Sequence, residues 1–149
     1  MLLHLLLACG PSLADREADA RAALDARDWA KAHSTADEAL EAAGGDAAAA
    51  WRLEQIRLDA LAGEKNGAEV RASLERLGGT YPKQVNGALY RAVADKLKAA
   101  GDGAGAIDVL DAGLKRFPDD AKLFQEQIDA AKATADPDEI ERLKALGYL

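Results

Sequence analysis

The chain has 149 residues, with 26 Asp and Glu against 19 Lys and Arg, so it carries a net charge of −7. By a broad count 49% is hydrophobic yet only 5% is aromatic, because alanine supplies much of the total, in runs such as Ala47-Ala48-Ala49-Ala50. That balance excludes a disordered or collagen-like chain and a deep core of large side chains, and it favours closely crossing helices, since alanine is the best helix former and the least bulky.

The chain opens on a leucine-rich run from Met1 to Ala8, followed by Cys9, Gly10 and a helix start at Pro11-Ser12. The run is too short to cross a bilayer, which takes about 20 apolar residues. Leu6-Leu7-Ala8-Cys9 resembles the lipobox of bacterial lipoprotein signal peptides. The resemblance implies that residues 1–8 are a signal peptide and that residues 9–12 form a tether, with diacylglycerol on the Cys9 sulfur and a further acyl chain on its new amine. Each buried CH₂ contributes about 0.8 kcal/mol, so two or three chains hold a membrane where one does not. Gly10 in place of Asp implies, by likeness to enterobacterial lipoproteins, the outer membrane facing the periplasm. No Lys or Arg precedes the leucines, as it does in an ordinary secretory signal. The alternative is therefore a cytoplasmic scaffold in which residues 2–7 pack on the domain and Cys9 is a small buried hydrophobe. One cysteine excludes an internal disulfide, and Cys9 with His4 and His33 is too small a set for a Cys-based zinc site.

Beyond Ser12, capping residues and apolar periodicity predict helices at 13–26, 29–43, 47–61, 67–77, 83–99, 103–116, 120–134 and 137–146. Ser12 with Asp15, and Asp136-Pro137-Asp138-Glu139, carry the reciprocal pattern of a helix start. Two segments match one another: Asp28-Trp29-Ala30-Lys31-Ala32 leading into Ala36, Ala39 and Leu40, and Asp102-Gly103-Ala104-Gly105-Ala106 leading into Leu110, Gly113 and Leu114. Ala32 and Ala106 lie 74 residues apart, twice 37, so one more copy is expected between them. There Gly63 to Gly67 makes the turn, Ala68 and Ala72 take the small positions, and Gly78-Gly79 is expected to stop the helix.

This pattern resembles the tetratricopeptide repeat, a helix-turn-helix unit of about 34 residues. The match is strongest at Tyr90, Val93, Ala94, Leu97, Ala106, Ile107, Gly113-Leu114 and Phe117-Pro118-Asp119-Asp120. It implies an all-α, right-handed α-solenoid of about three helix pairs over residues 13–134, followed by a C-terminal capping helix and apolar tail over 135–149. Trp29 and Trp51 read as packing residues, and Leu123, Phe124, Ile128 and Ala131 as the cover over the open end that a solenoid requires. The ending Leu146-Gly147-Tyr148-Leu149 resembles the C-termini of some bacterial repeat proteins and sulfatases. It either docks on the domain or engages a partner.

Groups for catalysis are scarce. His33 is the one imidazole after residue 9, and its helical neighbours Ser34 and Thr35 diverge from it, so no nucleophile–base pair forms. Carboxylates such as Asp15, Glu17 and Asp19 read as a solvated face that also suits a helix N-terminus. Glycines 101, 103 and 105 lack the preceding strand and following Lys-Ser or Lys-Thr of a phosphate loop. The expectation is a non-enzymatic adaptor without cofactor or metal. Its charges are interspersed, and Arg52 with Arg57 and Lys96 with Lys98 sit among carboxylates, so nucleic acid is not an expected partner. The resemblance implies a concave groove lined by the first helix of each pair, with Glu17, Arg21, Trp51, Gln55, Arg91 and Asp95 as residues that hold a protein or peptide partner, such as a secretion, pilus or outer-membrane assembly component. The Lys, Asn and Arg clamp that some members of the family use for a chaperone's C-terminal carboxylate falls here on Glu17, Arg21, Arg52, Ala88 and Ala92. That ligand is not expected.

Overall fold

A computed structural model describes residues 10–149, so the Leu6 to Cys9 motif lies outside the described residues. The described chain is all-α, with no strand. Its helices are α1 (Leu13–Asp25), α2 (Trp29–Ala42), α3 (Ala47–Gly63), α4 (Gly67–Thr80), α5 (Gly87–Ala100), α6 (Gly103–Arg116), α7 (Ala121–Ala133) and α8 (Pro137–Ala145), with a 3₁₀ turn at Pro118–Asp120 before α7.

Short polar residues start these helices. The side chains of Ser12, Asp28, Asp46, Asn66, Asn86, Asp102 and Asp136 each accept the backbone N–H three residues on. Each such cap is worth about 1 kcal/mol against alanine. Ser12 with Asp15 and Asp136 with Glu139 close full capping boxes. The turns out of α1, α3 and α5 share one geometry: Arg27, Lys65 and Gly101 take left-handed φ values of 59°, 59° and 88°. The next amide, at 28, 66 or 102, then bonds back to the carbonyl of Ala23, Leu61 or Leu97. Unsatisfied carbonyls at three helix ends are met by the same device.

Counting from the caps Asp28, Asn66 and Asp102 sets the register of the following helices. Ala32, Ala36 and Ala39 of α2 correspond to Val70, Leu74 and Leu77 of α4 and to Ala106, Leu110 and Gly113 of α6, and all are buried. The small positions expected at Ala68 and Ala72 are exposed, because the cap at Asn66 places the buried face two residues later. Nor do Gly78 and Gly79 stop α4. Gly78 instead makes room for Arg116 of α6, whose Nη2 donates to the Gly78 carbonyl at 3.1 Å, and the helix continues to Thr80. The fifth helix starts at Gly87 rather than 83, because the amides of Gln84 and Val85 fold back on the Tyr81 carbonyl, burying Val85 ahead of the Asn86 cap.

Packing between sequence neighbours joins α1 with α2, α2 with α3, α3 with α4, α5 with α6 and α6 with α7, and packing with the next but one sets α1, α3, α5 and α7 in one layer and α4, α6 and α8 in the other. The core is uneven. From α3 onward it holds Leu58, Leu61, Leu74, Leu77, Tyr90, Leu97, Ile107, Phe124 and Leu143, all essentially inaccessible. The first pair is held by Ala20, Ala36 and Ala39 against Leu53 and Ile56, and by Ala23 and Ala32 against Ala60. A buried leucine contributes about 1.5–3 kcal/mol and an alanine methyl about 0.8, so large side chains stabilise the C-terminal part and close backbone approach serves the N-terminal part.

Asp102 joins three helices. Wholly buried, its carboxylate accepts the Gly105 N–H at 3.1 Å as the α6 cap, the Gly67 N–H at 3.1 Å from the start of α4, and the Arg142 guanidinium at 2.7 Å from α8. Beside it the backbones of α4 and α6 cross in contact: a Cβ on Gly67 would lie 2.5 Å from the Gly105 Cα. Glu139 of α8 accepts the Gly103 N–H at 2.7 Å. The C-terminal tail docks through Tyr148, whose hydroxyl donates to Asp108 at 3.0 Å while its carbonyl accepts Lys132 Nζ at 2.8 Å. Burial first, then the Asp108 carboxylate, raises the phenol above its ordinary range, so it remains a donor. Leu146 and Leu149 are exposed.

Candidate functional site

Polar pairs lace the layer of α1, α3, α5 and α7. Arg52 of α3 forks onto Glu17 of α1 with bonds of 2.7 and 2.9 Å. Lys96 of α5 pairs with Asp59 of α3. Gln127 of α7 donates to Asp95 of α5 at 3.1 Å. These bonds span 32 to 37 residues and fix the spacing of successive helices across an open face.

The Arg52 hydrogen bond holds the Glu17 carboxyl below its usual range, with the charge of Arg21 helping. A depressed carboxylate adds stability above its unfolded pKa of about 4.3 and loses it as pH falls through the lower folded value. Glu17→Gln is therefore expected to lower Tm by about 1–3 °C at pH 7, because Arg52 is half exposed and solvent screens the pair. Thermal melts of both proteins, repeated toward about pH 3, should show the gap closing. A gap that widened in acid would refute this.

A cavity of about 590 Å³ opens at the C-terminal ends of α1, α3 and α5. Leu24, Trp29, Gly63, Ala99 and Ala100 line it, together with Arg27, Lys65, Lys96 and Asp59. The Trp29 indole lies against Gly63 so closely that a Cβ there would overlap the ring. Asp59 and Lys96 also border a smaller cavity of about 70 Å³ between α3 and α5, where Gln55 and Ala92 lie. The Asp59–Lys96 pair thus stands between the two cavities and lines both.

The residues nominated from sequence distribute unevenly over this surface. Glu17 and Asp95 stand in the polar pairs, Gln55 lines the smaller cavity, and Arg21 is exposed one turn along α1 from Glu17. Trp51 is half-buried against Tyr81, ring centroids 5.1 Å apart. Arg91 lies 5.8 Å over the Phe124 ring and donates to the Gly87 carbonyl at 3.4 Å. Neither Trp51 nor Arg91 lines the larger cleft. Arg27, Lys65 and Lys96 do line it and were not nominated. The sequence signal of Arg27 and Lys65 was faint: they occupy the turn position that holds Gly101 in the third pair.

His33 of α2 sits between Asp37 of its own helix and Glu64 at the C-terminal end of α3, each ring nitrogen 3.3 Å from a carboxylate oxygen. Arg57 ties Asp37 at 2.7 Å to Ser73 at 2.6 Å and Glu69 at 3.2 Å. Ser34, next to His33, donates to the Lys31 carbonyl at 3.2 Å. Among the described residues, no three His, Cys, Asp or Glu side chains converge as a metal-ligand set. No described helix is long and apolar enough to cross a membrane. No protein-family model, curated protein or solved structure matches the chain.

Proposed function

We propose that this chain is a non-enzymatic adaptor: a right-handed stack of tetratricopeptide-like helix pairs, tethered to the bacterial envelope through lipid on Cys9, that presents a groove to a protein or peptide. The observation that carries the repeat reading is the shared turn. A left-handed residue at 27, 65 and 101, a capping side chain at 28, 66 and 102, and buried positions four, eight and eleven residues after each cap recur in three helix pairs. Repetition of one supersecondary unit, each contacting its neighbours, is the physical basis of a solenoid. The binding reading is supported by the open, laced face of the odd-numbered helices and its cleft, a surface suited to an extended segment. His33 is held by carboxylates, an arrangement that orients it within the fold and supplies no nucleophile.

The anchoring half rests on the Leu6 to Cys9 motif, and its test is chemical. Cells fed an alkyne-tagged fatty acid should label the wild-type protein and leave it in the membrane fraction, whereas Cys9→Ala should be unlabelled and released. Equal labelling of both would overturn anchoring, and an unlabelled wild type in the cytosol would favour a cytoplasmic scaffold. The adaptor half predicts that affinity capture from envelope fractions recovers a defined partner, and that Arg21→Glu reduces its recovery. Capture of nothing above background would overturn it.

A further inference from the structure

We propose that the cleft at the C-terminal ends of α1, α3 and α5 binds an acidic peptide segment bearing an apolar or aromatic side chain, an inference that deepens the adaptor reading and rests on it. The volume of about 590 Å³ falls in the range that buries a side chain and its flanking backbone. Leu24, Trp29 and Ala99 give it apolar walls, which favour an apolar side chain over a polar one. Arg27, Lys65 and Lys96 bring three cations to its lining, against the single carboxylate of Asp59, already paired with Lys96. On a chain of net charge −7 this is a local reversal of sign. A cleft whose charges are mainly of one sign concentrates the opposite sign.

The backbone supplies an independent argument. Arg27 and Lys65 hold φ at 59°, where an L side chain is strained and glycine is not, while the third turn of the same geometry uses Gly101. A cation near a helix C-terminus benefits from the helix dipole. Yet Lys98 serves α5 from within its last turn, without a strained backbone. Dipole compensation therefore does not require a basic residue at the left-handed position. What that position does provide is a place on the cleft. Asp59 and Lys96 border both the cleft and the small space beside Gln55, which sets the surface of α3 and α5 as the onward path of a peptide anchored at the turns.

Strain makes the test clean, because Arg27→Gly with Lys65→Gly removes two cations while relieving the backbone. The probe is a short fluorescein-labelled peptide of Asp and Glu around a central Phe, titrated by anisotropy against the full chain at low and raised salt. A second peptide carries Asn and Gln in place of the acids. The acidic peptide should bind wild type at least about tenfold more tightly than the neutral one and weaken with salt. The double glycine variant should lose about tenfold or more in affinity while its Tm holds or rises. Absence of binding to wild type, equal binding of the neutral peptide, or undiminished binding by the double variant would each overturn the proposal. Envelope capture separates this from the adaptor reading: a partner recovered equally by wild type and the double variant sinks the cleft assignment and leaves the adaptor standing.

Discussion

Asp102→Ala is expected to melt about 10 °C below wild type. The substitution removes the α6 cap, which is the bond from the Gly105 amide and is worth about 1 kcal/mol, and strands the buried Gly67 amide at a cost of about 1–3 kcal/mol. Arg142 adds little, because its side chain is 55% exposed and recovers water. The sum, about 2–4 kcal/mol, converts at roughly 3 °C per kcal/mol for a domain of this size. Asp102→Asn gives a second reading. Asn66 caps α4 with a single amide oxygen, so asparagine at 102 can keep the Gly105 bond while losing the Gly67 and Arg142 contacts. Its expected cost is about 2 kcal/mol, between alanine and wild type. Calorimetric melts of the three proteins check the ranking, and an alanine variant within a degree or two of wild type would show that the buried bonds carry no net stability.

Gly105→Ala should destabilise by about 3 kcal/mol, although in an ordinary helix the same exchange stabilises by up to about 1 kcal/mol. Its new Cβ would lie 2.9 Å from the Gly67 Cα and collide with the Asp102 carboxylate, so relief demands that two backbones separate. Gly79 in α4 has nothing within 4 Å of the same position. Gly79→Ala should therefore raise stability by about 0.5–1 kcal/mol. Urea unfolding of both variants decides the matter: opposite signs are expected, and a shared sign would mean that the α4–α6 crossing is looser than its geometry requires.

Much of this architecture could be read in the amino-acid sequence where chemistry is local. Caps at Ser12 and Asp136 announced their helices because a short polar side chain acts on an amide three residues away. The predicted bounds of α6 coincide with those observed. What failed was non-local. Gly78 looked like a stop, yet its purpose is set by Arg116, 38 residues on. Ala68 and Ala72 looked like crossing positions, but the α4 crossing is made by Gly67 against Gly105. The candidate surface divides in the same way. Glu17, Gln55 and Asp95 face the laced layer as helical spacing suggests, whereas the cationic cleft arises from the turns at Arg27 and Lys65 brought beside Lys96 of α5, and no sequence window contains it.

The uneven core also has a mechanical meaning. Helices that touch only near neighbours transmit load serially, so the stack yields from its ends rather than all at once. Its more compliant end is the N-terminal pair, held by alanine contacts, and the Gly10-Pro11 segment enters there. Tension applied through that segment would peel α1 and α2 before reaching the leucine-rich block around Tyr90 and Phe124, and the Arg27 edge of the cleft would leave with them. Tension on the Gly10-Pro11 segment would thus open the cleft while most of the fold stays intact.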